Sequence, residues 1–311
     1  MTVGAVFSSH SPLRGRREPA AGVSAAVAQC EHAVTERVAA FAPDTVIAIG
    51  PDHFNGLFYR LMPAFCVGAE ASSVGDWDTP AGPLPTDPAL AEACVRHLHE
   101  HGVDAAVSYR QDVDHGVTQL LDNLFDWRAL PTVVPLVVNC AAPPLPPLAR
   151  VQQLGAALGA FAAALPGRVL LLASGGLSHD PPIPALTSAT PVVRERLIAG
   201  GPLDAQARAA REARVLEAAE QGAGVPLNPD WDRRVLEALC SGDTASVLAL
   251  DDAEISREGG CGAHEIRTWI AAAAAARAAG CDHFRIEYYR AIPEWIAGYA
   301  IMTALPPGIP D

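Results

Sequence analysis

"RVLLLASGGLSH", residues 168–179, decides how this 311-residue chain is read. It begins as an uninterrupted apolar run of strand length, is broken by glycines, and stops on a histidine. A continuous run of this kind suits a strand covered on both faces. The same design recurs at "VGAVFSSH", which ends at His10, and at "DTVIAIGPDH", which ends at His53. Between these runs lie "AAGVSAAVAQCEHAVTERVAAFA", "PALAEACVRHLHEHG", "VTQLLDNLFDW" and "RVQQLGAALGAFAAAL", whose apolar residues recur at helical spacing. "AAVSY" and "TVVPLVVNC" supply further short strands. Alternation of strand and helix predicts an α/β sheet with helices on both faces.

From about residue 190 the pattern becomes helical, in "TPVVRERLIAG", "AQARAAREARVLEAAEQG", "DWDRRVLEALCSG" and "GAHEIRTWIAAAAAARAAG". "FRIEYYRAIPEWIAGYAIMTAL" then predicts a returning strand or hairpin. No repeat or shift of composition marks a boundary. One domain over 1–311 is therefore expected, with the sheet mainly in 1–190, a helical segment in 190–280 and a returning strand region in 281–305. The proline-rich stretches "CAAPPLPPLAR" and "SHDPPIPAL" are stiff loops, expected at a cleft mouth.

Half the residues are hydrophobic and 18% are charged, enough for a large buried core. A net charge of −13 offers no basic face for nucleic acid or an anionic membrane surface, so neither is expected as a partner. The seven cysteines are odd in number and lack C-x-x-C spacing, which predicts reduced thiols and a cytoplasmic protein. No leader is expected before the first strand, and no apolar run is long enough to span a bilayer.

Ligands of open α/β sheets collect beyond the carboxyl ends of the strands. His10, His53 and His179 each fall where a strand ends, and His115 follows "AAVSYRQDVD" just past another. If the strands are parallel, four imidazoles share one rim, which predicts a metal site. Imidazole suits iron, zinc, copper and nickel. Two histidines with one carboxylate and open positions is the arrangement used for non-haem Fe(II) oxygen chemistry. Glu265, after a glycine-rich turn and at the start of a helix, is the candidate carboxylate. Asp52 and Asp114, each preceding one of these histidines, are expected to shape turns or orient ligands. His97, His99 and His101, near a helix end, are expected to be solvated, as are His32, His264 and His283. A zinc hydrolase using a metal-bound water remains open at this point, as does a non-catalytic binding protein.

"SSHSPL", "PDHFNGLFY", "VDHGVTQLL", "LASGGLSHDPP", "LNPDWD", "HEIRTW" and "YYRAIPEWIAGYA" occur in this order over nearly the whole chain. Together they resemble the class III (LigB-like) extradiol ring-cleaving dioxygenases. The resemblance implies a three-layer α/β/α fold with a mixed, mostly parallel central sheet, and a homo-oligomer. It implies Fe(2+) held by His10, His53 and Glu265, with His115 and His179 as the acid–base pair, His115 as proton donor and His179 as base. The implied reaction opens a catechol with O2. The branch most resembled acts on 3-(2,3-dihydroxyphenyl)propionate and its cinnamate analogue, giving a 2-hydroxy-6-oxo-nona-2,4-dienedioate. Another catechol or an aminophenol is the alternative. Two stretches depart from the pattern, a basic "LRGRREPAAG" after the first motif and a glycine-rich "ISREGGCGA" before Glu265. For the side-chain carboxylate, Arg267, Arg14 and Arg16 are the candidates.

Overall fold

The computed structural model describes residues 2–201, 203–222 and 224–309. Along each central strand, successive side chains enter opposite cores. Val3, Ala5 and Phe7 join one core while Val6 joins the other; Ile47 and Ile49 oppose Val46 and Ala48; Leu171 and Ala173 oppose Leu170 and Leu172. A pleat alternates its side chains, so strands apolar at every position must be covered on both faces. The first core is closed by the helices Pro88–Glu100, Leu148–Ala164, Pro229–Ser241 and Ile266–Ala278. The second is closed by Val23–Phe41 and His115–Leu124. The result is the expected three-layer α/β/α arrangement.

The main sheet has eight strands, in the order Phe284–Ile292, Ala297–Ala304, Thr2–Ser8, Arg168–Ser174, Thr45–Gly50, Thr132–Val138, Phe65–Gly68, Ala106–Ser108. From Thr2–Ser8 to Thr132–Val138 the pairs are parallel. The C-terminal hairpin, antiparallel as expected, joins the first strand, so both ends of the chain share one sheet. Register aligns the exits of the central strands: Ser8 lies opposite Ser174, and Ile49 opposite Ala173. The segments leading to His10, His53 and His179 therefore leave from one edge.

Several elements have no counterpart in the apolar pattern. Phe65–Gly68 pairs antiparallel with Thr132–Val138, and Ala71–Ser73, Gly82–Pro83 and Gln111–Val113 make a separate small sheet. Strands this short carry too little period to be recognised. His115 follows the last of these, so it does not end a main-sheet strand as expected. It opens the helix His115–Leu124, with Asp114 as the cap that accepts the Gly116 N–H at 2.9 Å.

The alanine-rich helix Ile266–Ala278 lies inside the first core, with Ala271, Ala272, Ala273, Ala275 and Ala276 buried. Its alanines serve packing within the chain. Gly155 and Gly159 on the facing helix make room for it: a Cβ there would stand 2.2 Å from the carbonyls of Ala271 and Ala275. This close approach holds the helix that begins at Glu265.

Candidate active site

Three segments with no local contact converge on Glu265. Its Oε1 lies 3.1 Å from His53 Nε2 and 3.5 Å from His179 Nε2, and its Oε2 lies 3.6 Å from His10 Nε2. The carboxylate is fixed from behind, where Oε2 accepts the Gly176 N–H at 2.6 Å. The helix start is pinned to the strand end by Thr268 Oγ1, which donates to the Ser174 carbonyl at 2.9 Å, and by Trp269 Nε1, which donates to the Gly175 carbonyl at 3.1 Å.

Each of the four imidazoles has its Nδ1 engaged, and by a different group. His10 Nδ1 meets Ser174 Oγ at 3.0 Å, and His53 Nδ1 meets Asp114 Oδ1 at 3.2 Å. His115 Nδ1 meets Asp76 Oδ2 at 2.7 Å, and His179 Nδ1 meets the Leu177 carbonyl at 3.0 Å. A tether on one ring nitrogen sets the orientation and leaves the other for a ligand or a proton. Asp114 also accepts the His53 N–H at 2.8 Å and the Asn55 amide at 2.7 Å, while Asp52 closes the loop by accepting the Gly56 N–H at 2.8 Å. Both aspartates therefore do the orienting and turn-shaping work expected of them.

His179 fits a slot lined by glycine. A Cβ on Gly262 would stand 2.2 Å from its Nε2, and one on Gly176 would stand 2.4 Å from the ring. The ligand atoms of His10, His53 and His115 lie within 4.8 Å of one another, and the His53 and His115 rings stack at 4.4 Å. Two donor sets thus share the space: His10, His53 and Glu265, and the all-histidine His10, His53 and His115.

The electrostatics follow from burial. Desolvation lowers His10 to about 3 despite the nearby Glu265 carboxylate, which leaves a neutral imidazole, the form that binds metal. Burial also opposes charge on His53, but Asp114 and Glu265 outweigh it and raise His53 well above its ordinary value. His179 is raised in the same way, burial being overcome by Glu265. Burial acts against the Glu265 carboxylate, yet the surrounding imidazoles hold it well below the usual range. The cluster is a buried anion ringed by imidazoles, which is the donor chemistry of a borderline divalent cation.

The four imidazoles form the floor of a cavity of about 560 Å³. His10, His53, His115 and His179 line it, as do Phe54, Trp77 and Trp295. Of the two proline-rich loops, "SHDPPIPAL" lines the cavity through Pro181, Pro182 and Pro184, whereas residues 140–150 do not. Trp77 and Asp78 adopt left-handed backbone conformations beside His115, with φ of 51° and 66°.

The three arginines expected to bind the side-chain carboxylate do not line the cavity. Arg267 is fully buried, donating to the Pro146 carbonyl at 2.9 Å and to Asp252 at 2.5 Å, and bonding His264. A guanidinium two residues beyond Glu265 on a helix points away from Glu265's face, and its own partners consume it. Arg14 is paired with Glu31, and Arg16 with Asp78 at 2.6 Å and Glu212 at 3.2 Å. His264 is buried against Ser256 and Arg267, not solvated. His97 is half-buried against Phe161, and its Nε2 has no partner among the described residues.

The cavity's other cations are Arg196, Arg211 and Arg214, on the helices Pro191–Ala199 and Ala205–Gln221. Asp76, which holds His115, was also missed. It lies 39 positions upstream in a segment without regular periodicity.

This arrangement of parallel strand ends, histidines and one carboxylate beneath an apolar cavity is that of an enzyme site able to hold a metal ion and a small molecule. Residues 4–300 match the catalytic LigB subunit of aromatic ring-opening dioxygenase, and the chain belongs to that family. It is 48% identical over 302 residues to the 2,3-dihydroxyphenylpropionate/2,3-dihydroxicinnamic acid 1,2-dioxygenase of Mycolicibacterium vanbaalenii, covering 96% of each chain. It is 46% identical to the protein of that name from Mycolicibacterium smegmatis, over 96% of this chain and 97% of that one. The Rhodococcus sp. protein of that name is 48% identical over 98% of this chain and 99% of its own. An uncharacterized protein from Escherichia coli K12, 14% identical, superposes with a TM-score of 0.54 over 96% of this chain and 98% of that one, a likeness of fold. Among the described residues no helix is long and apolar enough to cross a membrane.

Proposed function

We propose that the chain, acting as one domain, cleaves 3-(2,3-dihydroxyphenyl)propionate and its cinnamate analogue beside the diol. Both atoms of O2 enter the product. The observation that carries this reading is the Glu265 carboxylate lying within 3.6 Å of three imidazole nitrogens at the floor of the cavity. The names of its relatives point to the substrate.

His10, His53 and Glu265 would hold Fe(2+), because two imidazoles and one carboxylate leave positions for substrate and gas. Bound there, the ion would acidify the diol and let charge pass from ring to oxygen. The remaining work belongs to the chain. His179, held through Nδ1 by the Leu177 carbonyl, presents Nε2 to take a proton from a diol oxygen. His115, fixed through Nδ1 by Asp76, presents Nε2 to return a proton to the departing oxygen. Phe54, Trp77 and Trp295 exclude water and stack the ring. A homo-oligomer in the cytoplasm completes the reading.

The zinc alternative has one observation of its own, the His10, His53 and His115 triad. The test separates the two. Protein loaded anaerobically with Fe(2+), given 3-(2,3-dihydroxyphenyl)propionate and then air, is expected to form a yellow product with stoichiometric oxygen uptake. A protein that retains zinc and consumes no oxygen would overturn the proposal.

A further inference from the structure

Every one of the 22 basic side chains is arginine, against 35 acidic residues, and the buried or half-buried ones often meet a carboxylate. Arg14, Arg16, Arg37 and Arg267 each have one. Arg196, Arg211 and Arg214 have none among the described residues, yet all three line the cavity. Arg211 and Arg214 fall on one face of their helix with Ala207 and Ala210, spaced as helical neighbours. Arg196 reaches in from the preceding helix, with Leu197 beside it.

Backbone contacts aim two of them. Arg211 Nη2 donates to the His53 carbonyl at 2.5 Å and Nη1 to Asn55 Oδ1 at 3.2 Å; Arg196 Nη2 donates to the Phe54 carbonyl at 3.3 Å. Both thus stand on the loop that carries a floor imidazole. Arg214 makes no hydrogen bond among the described residues. Three like charges at an apolar wall repel one another: burial first, then Arg211 and Arg214, pull Arg196 below its ordinary value. An anion placed among them would relieve that repulsion.

We propose that Arg196, Arg211 and Arg214 form a subsite for the carboxylate on the substrate's short side chain, which makes them the residues that select an aromatic acid over a neutral catechol. This deepens the proposed function and rests on it. A carboxylate accepts two parallel guanidinium hydrogen bonds, and the surrounding apolar wall strengthens them. The cavity, at about 560 Å³, suits one ring with a side chain of a few atoms.

The test compares Arg214→Gln and the Arg196→Gln/Arg214→Gln pair with the parent enzyme, using 3-(2,3-dihydroxyphenyl)propionate and the neutral 3-propylcatechol. Loss of charged hydrogen bonds should raise KM for the acid about 10- to 100-fold in the pair. KM for 3-propylcatechol should hold within about twofold, since no charged contact is lost there. Arg214→Gln alone guards against misfolding, because Arg214 holds nothing else in place. Independently of turnover, tryptophan fluorescence of the metal-free protein should report binding of 3-phenylpropionate beside Trp77 and Trp295, weakened by the same substitutions. Binding of 3-phenyl-1-propanol should not change. Parallel changes for acid and neutral compound, or an unchanged KM for the acid, would overturn the subsite. A parent protein that opens no catechol yet binds 3-phenylpropionate through these arginines would sink the reaction and leave the subsite standing.

Discussion

The floor of the cavity is made of strand ends and one helix start, its side chains buried or half-buried and tethered through a second atom. The cover, residues 181–201 and 203–221, is made of prolines and two helices with few buried residues. Of Pro191–Ala199 only Leu197 is buried, and Ala205–Gln221 has no buried residue among those described. The floor belongs to two large cores, whereas Pro191–Ala199 rests on a small cluster of Phe54, Ala142 and Leu197, and Ala205–Gln221 meets the second core through the half-buried Val215, Leu216 and Ala219. Groups that must meet within a few tenths of an ångström are placed on the rigid part, and groups that choose the ligand on the part with little packing to lose.

The largest test of this division concerns the floor alone. His10→Ala, His53→Ala and Glu265→Ala are expected to abolish iron retention after anaerobic reconstitution, with turnover lost as a consequence. His115→Ala and His179→Ala should keep the iron and lose ring cleavage by about 10²- to 10⁴-fold. Equal loss of iron in all five, measured by metal analysis, would break the division of roles; loss in His115→Ala but not in Glu265→Ala would favour the all-histidine site.

A smaller effect should come from one layer behind. Asp114→Asn keeps the shape of the residue that orients His53 but removes its charge, and should weaken metal binding about 10- to 100-fold. Competition with a chelator measures it. The next concerns the packing under Glu265. Gly155→Val would drive a side chain into the Ala271 carbonyl, which a Cβ alone approaches to 2.2 Å. Overpacking of this kind costs about 1–3 kcal/mol, to be read from denaturant midpoints. The equivalent change on the exposed face of the cover should cost little.

The smallest concerns the seam between floor and cover. Asp180 accepts the Cys261 N–H at 2.7 Å and the Val225 N–H at 2.8 Å. Burial pushes its carboxyl up, but these hydrogen bonds outweigh it and hold it below its ordinary 3.8. A depressed carboxyl contributes stability that is present above the unfolded value and is lost as pH falls through the folded one. Asp180→Asn should therefore lower the urea midpoint at pH 7 and make little difference in strong acid. Because the group is partly exposed, the gap should stay under about 1 kcal/mol. A gap that widens in acid would reverse the sign.

Some of this was legible residue by residue. Apolar runs at 2–8, 45–50, 132–138 and 168–174 are long enough to show a strand on their own, and in parallel order they carry His10, His53 and His179 to one rim. Glu265 at a helix start was legible because the glycine-rich turn ahead of it stops one helix before the next begins. Asp76 was not, because its role depends on a fold-back across segments without period. The arginines of the cover were not either. On sequence they look like the polar face of a solvated helix, and Arg267 looked better placed than it is.

By itself, then, the order of apolar, glycine and titratable residues determined the layered fold, the strand-end imidazoles and the family. Local periodicity and turn chemistry act over a few residues and leave their mark there. Tertiary structure alone decided which second atom holds each imidazole, which helix roofs the cavity and which arginines are left without a carboxylate. Those outcomes depend on distances between segments far apart in the chain, and no local pattern encodes a distance.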